Sequence, residues 1–498
     1  MTGLIARYYE QWGTLAGQCG ALAAGGILVV STVNAATGSV FSFLGPIPLI
    51  IFLLAMVLAV ACEFAIDDED KKRLTNLVWV SFLLKCVFII VVLNSEDLSS
   101  YVGDIVISTA WGDDSIRYDQ VSWSMAMEWR DGNFAGVTHT HFAYYYVLAI
   151  FYFIFGHSML GALLVNAFFA SALLIVMFKI GELLFDRQVA WRAVCFMVIF
   201  TGYTVTSSRL LRDTIIYFLM AFFLYHVIKF VQTLRPGYFF IAIVTVAIMY
   251  PFRLYIAMLM FVIASLIWFV ERQIHYVKKT ALFLFVLIGI GLVQNLLVPQ
   301  LGFLGHRFFL GGNYSGGLNL LLARQSDQGG RGWDYRVNIS EDRDLLNTAA
   351  AKLLFSRKRD LAINWVIGSF RVTFSPFAWV IPGIHPDAPP FWRNFNVYFM
   401  YIGQWLWYFL IPATVVGIYH IVREKRKEAI CLATMCLITI SIFALAYTSP
   451  SPRFFYQILG YLLIFASYGL TKLPHPVWIH SGWGVCLFLM AYIHLNFG

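Results

Sequence analysis

The chain has 498 residues, 60% of them hydrophobic and 17% aromatic, and only 12% are charged. A soluble protein carries about 25% charged residues, so this much apolar surface needs lipid around it. Composition excludes a disordered chain, a disulfide-stapled secreted scaffold and a collagen-like fibre. The formal charge of +8 fits the basic loops that membrane topology requires, so it does not point to nucleic acid. The seven cysteines lie in or beside apolar segments, and no disulfide framework is readable. Met1 to Gln18 is mixed and polar, without a cleavable-signal pattern.

A spanning helix needs about 20 mainly apolar residues. The pattern predicts an all-α polytopic membrane protein of about 13 transmembrane helices. They are read near 18–35, 47–66, 75–94, 159–178, 193–208, 214–231, 238–253, 254–270, 280–298, 397–420, 428–447, 454–470 and 477–495. Basic clusters stay on the cytoplasmic side. Those at Lys71-Lys72-Arg73, Lys179 with Arg187 and Arg192, Arg272 with Lys278-Lys279, and Arg423 to Lys427 therefore turn 95–158 and 299–396 outward. The chain then divides into N-terminal helices (1–94), a first external loop (95–158), a transmembrane core (159–298), a long external basic loop (299–396) and C-terminal helices (397–498). The apolar run from Phe142 to Phe155 is too short to span and would invert every later basic cluster. Segments 120–131 and 141–156 are read as juxtamembrane helices along the outer interface, with a short ordinary span as the alternative.

The first loop holds Asp113, Asp114 and Asp119, three carboxylates within seven residues. A carboxylate held against an apolar surface has a raised proton affinity and serves as a general base. An adjacent pair is also a possible ligand set for a divalent cation. The alternative is that Asp113, Asp114 or Ser115 caps a helix beginning near Ile116. His139 and His141 follow, at a spacing that suits substrate hydrogen bonding better than zinc.

The next outer turn carries Arg209, Arg212 and Asp213, and further short turns carry Arg253 and Arg453. Arginine at such depth needs a carboxylate or an anionic ligand, and a phosphate satisfies the guanidinium fork. An internal Arg212–Asp213 pair, or an arginine paired with Asp113, is the alternative. The loop 299–396 is also basic, with eleven Lys and Arg against seven acids, but it contains no named catalytic motif.

The run Asp113-Asp114-Ser115-Ile116-Arg117-Tyr118, its continuation through Gly132 to an aromatic helix and Phe155-Gly156, and the turn Lys179 to Asp186 together resemble the GT-C superfamily of membrane glycosyltransferases. That superfamily includes protein O-mannosyltransferases and lipid A aminoarabinose transferases. The resemblance covers about residues 95–235. It implies transfer of a sugar from a polyprenyl-phosphate or polyprenyl-diphosphate donor to a hydroxyl on a glycan, lipid or protein. Asp114 would be the key acid with Asp113 beside it. Tyr118, Arg209, Arg212, Asp213, Arg253, Arg453, His139 and His141 would serve the substrates. No cofactor is firmly implied, and a divalent cation stays open. The implied location is an integral protein of the bacterial inner membrane, in contact with membrane lipids and active on the periplasmic side. Two other readings fit the composition: an O-antigen-type polysaccharide polymerase or ligase, suited to the long basic loop, and a lipid-linked glycan transporter. A transporter predicts charge spread through the spans, whereas here Lys85 is the clear basic residue deep in one.

Overall fold

The computed structural model describes residues 54–55, 57–59, 68–94, 112–133, 142–270, 365–366, 368–370, 372–374, 391–446, 452–473 and 481–490. Every regular element among them is helical. The expected spans at 18–35 and 280–298, most of 47–66 and most of the loop 299–396 lie outside the described residues, as do His139 and His141. In chain order the helices are α1 Asp68–Asn94, α2 Gly112–Arg130, α3 Phe142–Phe155, α4 Met159–Leu184, α5 Arg187–Ile199, α6 Thr201–Ser207, α7 Asp213–Thr233, α8 Pro236–Met249, α9 Leu254–Val270, α10 Phe391–Arg423, α11 Lys427–Ala446 and α12 Pro452–Lys472.

Three helices among the described residues are long and apolar enough to cross a membrane: α4, α7 and Ile402–Arg423 within α10. A fourth span results if α5 and α6, bent by 60° at their junction, count as one. The expectation of about 13 is thus met only in part. The 14 residues of α8 extend about 21 Å, short of a hydrocarbon core of about 30 Å. The expected uninterrupted span at 193–208 is instead broken at Phe200, which is extended (φ −72°, ψ 94°) and ends α5 by donating its N–H to Phe196 at 2.8 Å.

α4 is the centre of the first unit, which comprises the described residues up to Phe230 together with Arg235–Met260 and the described residues 391–407. Ser158 caps α4 by accepting from the Gly161 N–H at 3.2 Å. The helix then runs 26 residues, about 39 Å, buried on nearly every face. α1, α5 and α6 pack on it and on one another. Outward surfaces stay apolar: Leu83 and Val87 on α1, and Phe240 and Ile248 on α8, are each about half exposed or more. Such a surface would be a liability in water, and in lipid it is the solvent-contacting face. Lys85, buried in α1, donates to the Ser81 hydroxyl one turn back.

α2 and α3 pack against each other as a pair. Each is terminated by a glycine in the left-handed region, Gly132 and Gly156, both at φ +81°. Asn133 donates to Glu128 at 2.9 Å and Gly156 to Tyr152 at 2.9 Å, satisfying carbonyls that a helix end leaves open.

The second unit includes the described chain from Tyr408 onward. α11 and α12 pack together. α10 and α12 cross so closely at Gly417 and Gly469 that a Cβ on either would overlap a carbonyl of the other helix, Phe465 or Ala413.

Candidate functional site

The acidic motif lies inside α2. The helix starts at Gly112, not near Ile116, so Asp113 and Asp114 occupy its first turn and do not cap it from outside. Negative charge there is favoured by the helix dipole. The third carboxylate has a different fate. Asp119 accepts from the Tyr152 hydroxyl at 2.5 Å and lies 3.0 Å from His157 Nε2, so it ties α2 to the end of α3. Trp123 stacks on His157 with ring centroids 4.9 Å apart. Arg130 donates to the Tyr152 and Phe153 carbonyls at 3.0 and 3.2 Å. Burial and the adjacent Asp119 charge push the Tyr152 phenol far above the ordinary tyrosine value, so it remains a donor.

From Tyr118 a chain of contacts leads to the arginine turn. Tyr118 is buried, with its ring 4.8 Å from Tyr144 in an edge-on arrangement and 4.9 Å from Tyr145. The Tyr144 hydroxyl donates to Asn166 Oδ1 at 3.3 Å. Burial holds that phenol well above its usual range, and the Asp213 charge adds to the effect. Asn166, fully buried in the second turn of α4, donates from Nδ2 to the carbonyls of Arg209 at 2.7 Å and Leu211 at 3.0 Å. One amide therefore fixes the 208–212 turn between α6 and α7.

Arg212 and Asp213 are buried at that turn, and Arg209 is half-buried. Arg253, from the turn between α8 and α9, places Nη1 2.8 Å from Asp213 Oδ1, and both side chains are almost wholly buried. Asp213 thus pairs with Arg253, forty residues on in the chain, a partner that the sequence reading does not name. Tyr118, Arg209, Arg212, Asp213 and Arg253 are brought to one end of the unit. Arg453 is the second residue of α12, in the other unit. The side chains of Asp113, Asp114 and Arg453 lie outside the described residues. Among the described residues, no three His, Cys, Asp or Glu side chains gather as metal ligands.

The residues to which sequence reasoning gives no such role are Asn166, Tyr144, Tyr152 and His157; it singles out Asp119 with Asp113 and Asp114, but not its tie to Tyr152 and His157. Asn166 had a readable signal, because a lone amide in an apolar span needs a partner.

Residues 139–297 match the family model of dolichyl-phosphate-mannose-protein mannosyltransferases. The chain is similar to membrane glycosyltransferases. The match covers about a third of the chain and contains Arg209, Arg212, Asp213 and Arg253; Asp113, Asp114 and Tyr118 precede it and Arg453 follows it. No individual curated protein matches the chain.

Proposed function

We propose that the protein transfers a sugar from a polyprenyl-phosphate or polyprenyl-diphosphate carrier to a hydroxyl acceptor, at the membrane face opposite the basic clusters. The reading rests on the family match over 139–297, and the observation that carries it to this site is the contact chain from α2 to the arginine turn. Asp114 takes the acceptor proton as the hydroxyl oxygen bonds to the anomeric carbon, and the carbon–phosphate oxygen bond breaks. Asp113 stands beside it, and Tyr118 braces the helix against Tyr144. Arg209 and Arg212 stabilise the negative charge that develops on the leaving phosphate. Arg253 joins them while held by Asp213, and His139 and His141 complete the set of substrate contacts. The site faces the periplasm of a bacterial inner membrane, and the acceptor is a glycan, lipid or protein.

Asp114→Asn tests the chemistry. Asparagine matches the size of the carboxylate and forfeits only the helix-dipole interaction, about 0.3–1 kcal/mol, whereas loss of a general base costs about 100-fold or more in rate. The expected result is near-normal thermal stability with transfer reduced about 100-fold, measured on purified protein with polyprenyl-phosphate sugar donors. Near-normal transfer by the folded variant would leave the acidic pair as a helix terminus. Product length distinguishes the polymerase reading, which the basic composition of 299–396 favours: one sugar per acceptor for a transferase, a ladder for a polymerase.

A further inference from the structure

The opposite end of the first unit carries a second ionic arrangement with an open cavity of about 590 Å³, lined by Asp70 and Arg73 of α1 and by Arg187, Gln188 and Trp191 of α5. We infer that this cavity binds a phosphate head group. Asp70 pairs with Arg187, which fixes one guanidinium in the wall. Arg73 is exposed and forms no ion pair with a described residue. The lining carries two guanidiniums and one carboxylate, a balance that suits an oxyanion and repels a cation. α5 begins at Arg187 beside this wall, and its N-terminus is already met by the Asp186 carboxylate, which accepts from the Val189 N–H at 2.8 Å; the guanidiniums, not the helix dipole, are what an anion would meet. The flanking charges offset one another, Lys71, Lys72 and Arg192 against Asp68, Glu69 and Asp186, so the preference for an anion rests on the lining itself. Trp191, half-buried at the cavity, is the residue type that anchors at a lipid–water boundary. Basic pockets between helices at this side of a membrane suit phospholipid head groups, and the volume holds a phosphate with its attached alcohol.

The cavity lies at the α4–α5 connection, about 27 Å along α4 from Asn166, which holds the arginine turn, so the inference does not depend on the proposed transfer reaction. A phospholipid and soluble phosphate share the chemistry, and the test separates them. Full-length protein in zwitterionic detergent is titrated with phosphatidylglycerol, phosphatidylcholine or inorganic phosphate, with binding followed by native mass spectrometry and the shift in Tm. The expected result is retention of phosphatidylglycerol at least tenfold over phosphatidylcholine. Arg73→Gln should weaken that binding about tenfold, the scale of one charge-assisted hydrogen bond, while the lipid-free Tm is unchanged. Asp70→Asn should tighten it, by releasing Arg187 to the ligand. Stabilisation by inorganic phosphate that Arg73→Gln removes, without discrimination between the two lipids, assigns the site to soluble phosphate. Equal response of wild type and Arg73→Gln to all three probes overturns the inference, as does weaker binding in Asp70→Asn with tighter binding in Arg73→Gln.

Discussion

The two ends of the first unit use the same chemistry, one aspartate against one arginine, in opposite surroundings. At the arginine turn, Asp213 and Arg253 are 1% and 3% exposed. At the basic end, Asp70 and Arg187 are 11% and 37% exposed and border an open cavity. Depth decides what each pair does. A buried pair cannot lose one partner without stranding a charge, so it locks two helix turns together. A half-exposed pair is screened and weak, which leaves its arginine able to exchange the carboxylate for another anion.

The contrast is sharpest in single and double substitutions. Arg253→Gln should cost about 3–5 kcal/mol, the usual penalty for orphaning a buried charge. Thermal unfolding in detergent measures it. Asp213→Asn with Arg253→Gln should regain most of that loss, because neither charge is then left behind. If Arg253 also contacts the carrier phosphate, the double variant folds well yet transfers poorly. A double variant as unstable as the single would show that the pair contributes more than mutual compensation.

Next in size is Asn166, which at the arginine-turn end joins α4 to the 208–212 turn. Asn166→Ala leaves the Arg209 and Leu211 carbonyls without that donor, at about 1–3 kcal/mol. The expected signature is a lowered Tm together with new proteolytic cleavage near residues 208–212. Cleavage elsewhere with the turn protected would mean that the turn is held by its own hydrogen bonds, such as Ser208 to Thr204 at 2.7 Å. At the basic end, Asp70→Asn should change stability by less than about 1 kcal/mol. A loss comparable with that of Arg253→Gln would erase the distinction between the two ends.

These differences explain what the sequence could disclose. Long apolar runs placed the start of α4 and both ends of α7 within two residues, because burial in lipid demands continuous apolar length, whereas α4 runs six residues past the expected 178, through Lys179 and Glu182. The ends of α2 and α3 fall within a residue of the expected 131 and 156, and the structure shows the left-handed glycines Gly132 and Gly156 that stop them. The break at Phe200 was not legible, because it interrupts a run in which every residue is compatible with a helix. Nor was the start of α2 at Gly112, since acidic residues suit both a cap and a first turn. Among three nearby carboxylates, only tertiary contacts could separate Asp119, held by Tyr152 and His157, from Asp113 and Asp114. The Asp213–Arg253 pair joins two turns forty residues apart, beyond any periodicity. The family match begins at residue 139, so the acidic motif is supported by position and chemistry alone.

The smallest effect expected is at the turn after α10, in the second unit, and it extends the comparison to a cluster more exposed than either pair. Glu424 accepts from the Tyr468 hydroxyl at 2.6 Å and pairs with Lys472 at 3.0 Å and Arg426 at 2.8 Å. These contacts, the Tyr468 hydrogen bond foremost, lower its pKa from 4.5 to about 2. A carboxylate whose folded value lies below its unfolded one adds stability at pH above the unfolded value. That contribution disappears as pH falls through the folded value, here between about 4.5 and 2. The wild type should therefore exceed Glu424→Gln in stability by less than about 1 kcal/mol near neutral pH, with the gap closing below pH about 4.5. Salt should narrow the share due to Lys472 and Arg426, because exposed charges are screened within about 8–10 Å. The share due to Tyr468 is a short-range hydrogen bond and should persist, so Tyr468→Phe at high salt should reproduce most of the remaining loss. A gap that is independent of pH would show that Glu424 acts through packing of its side chain and not through its charge.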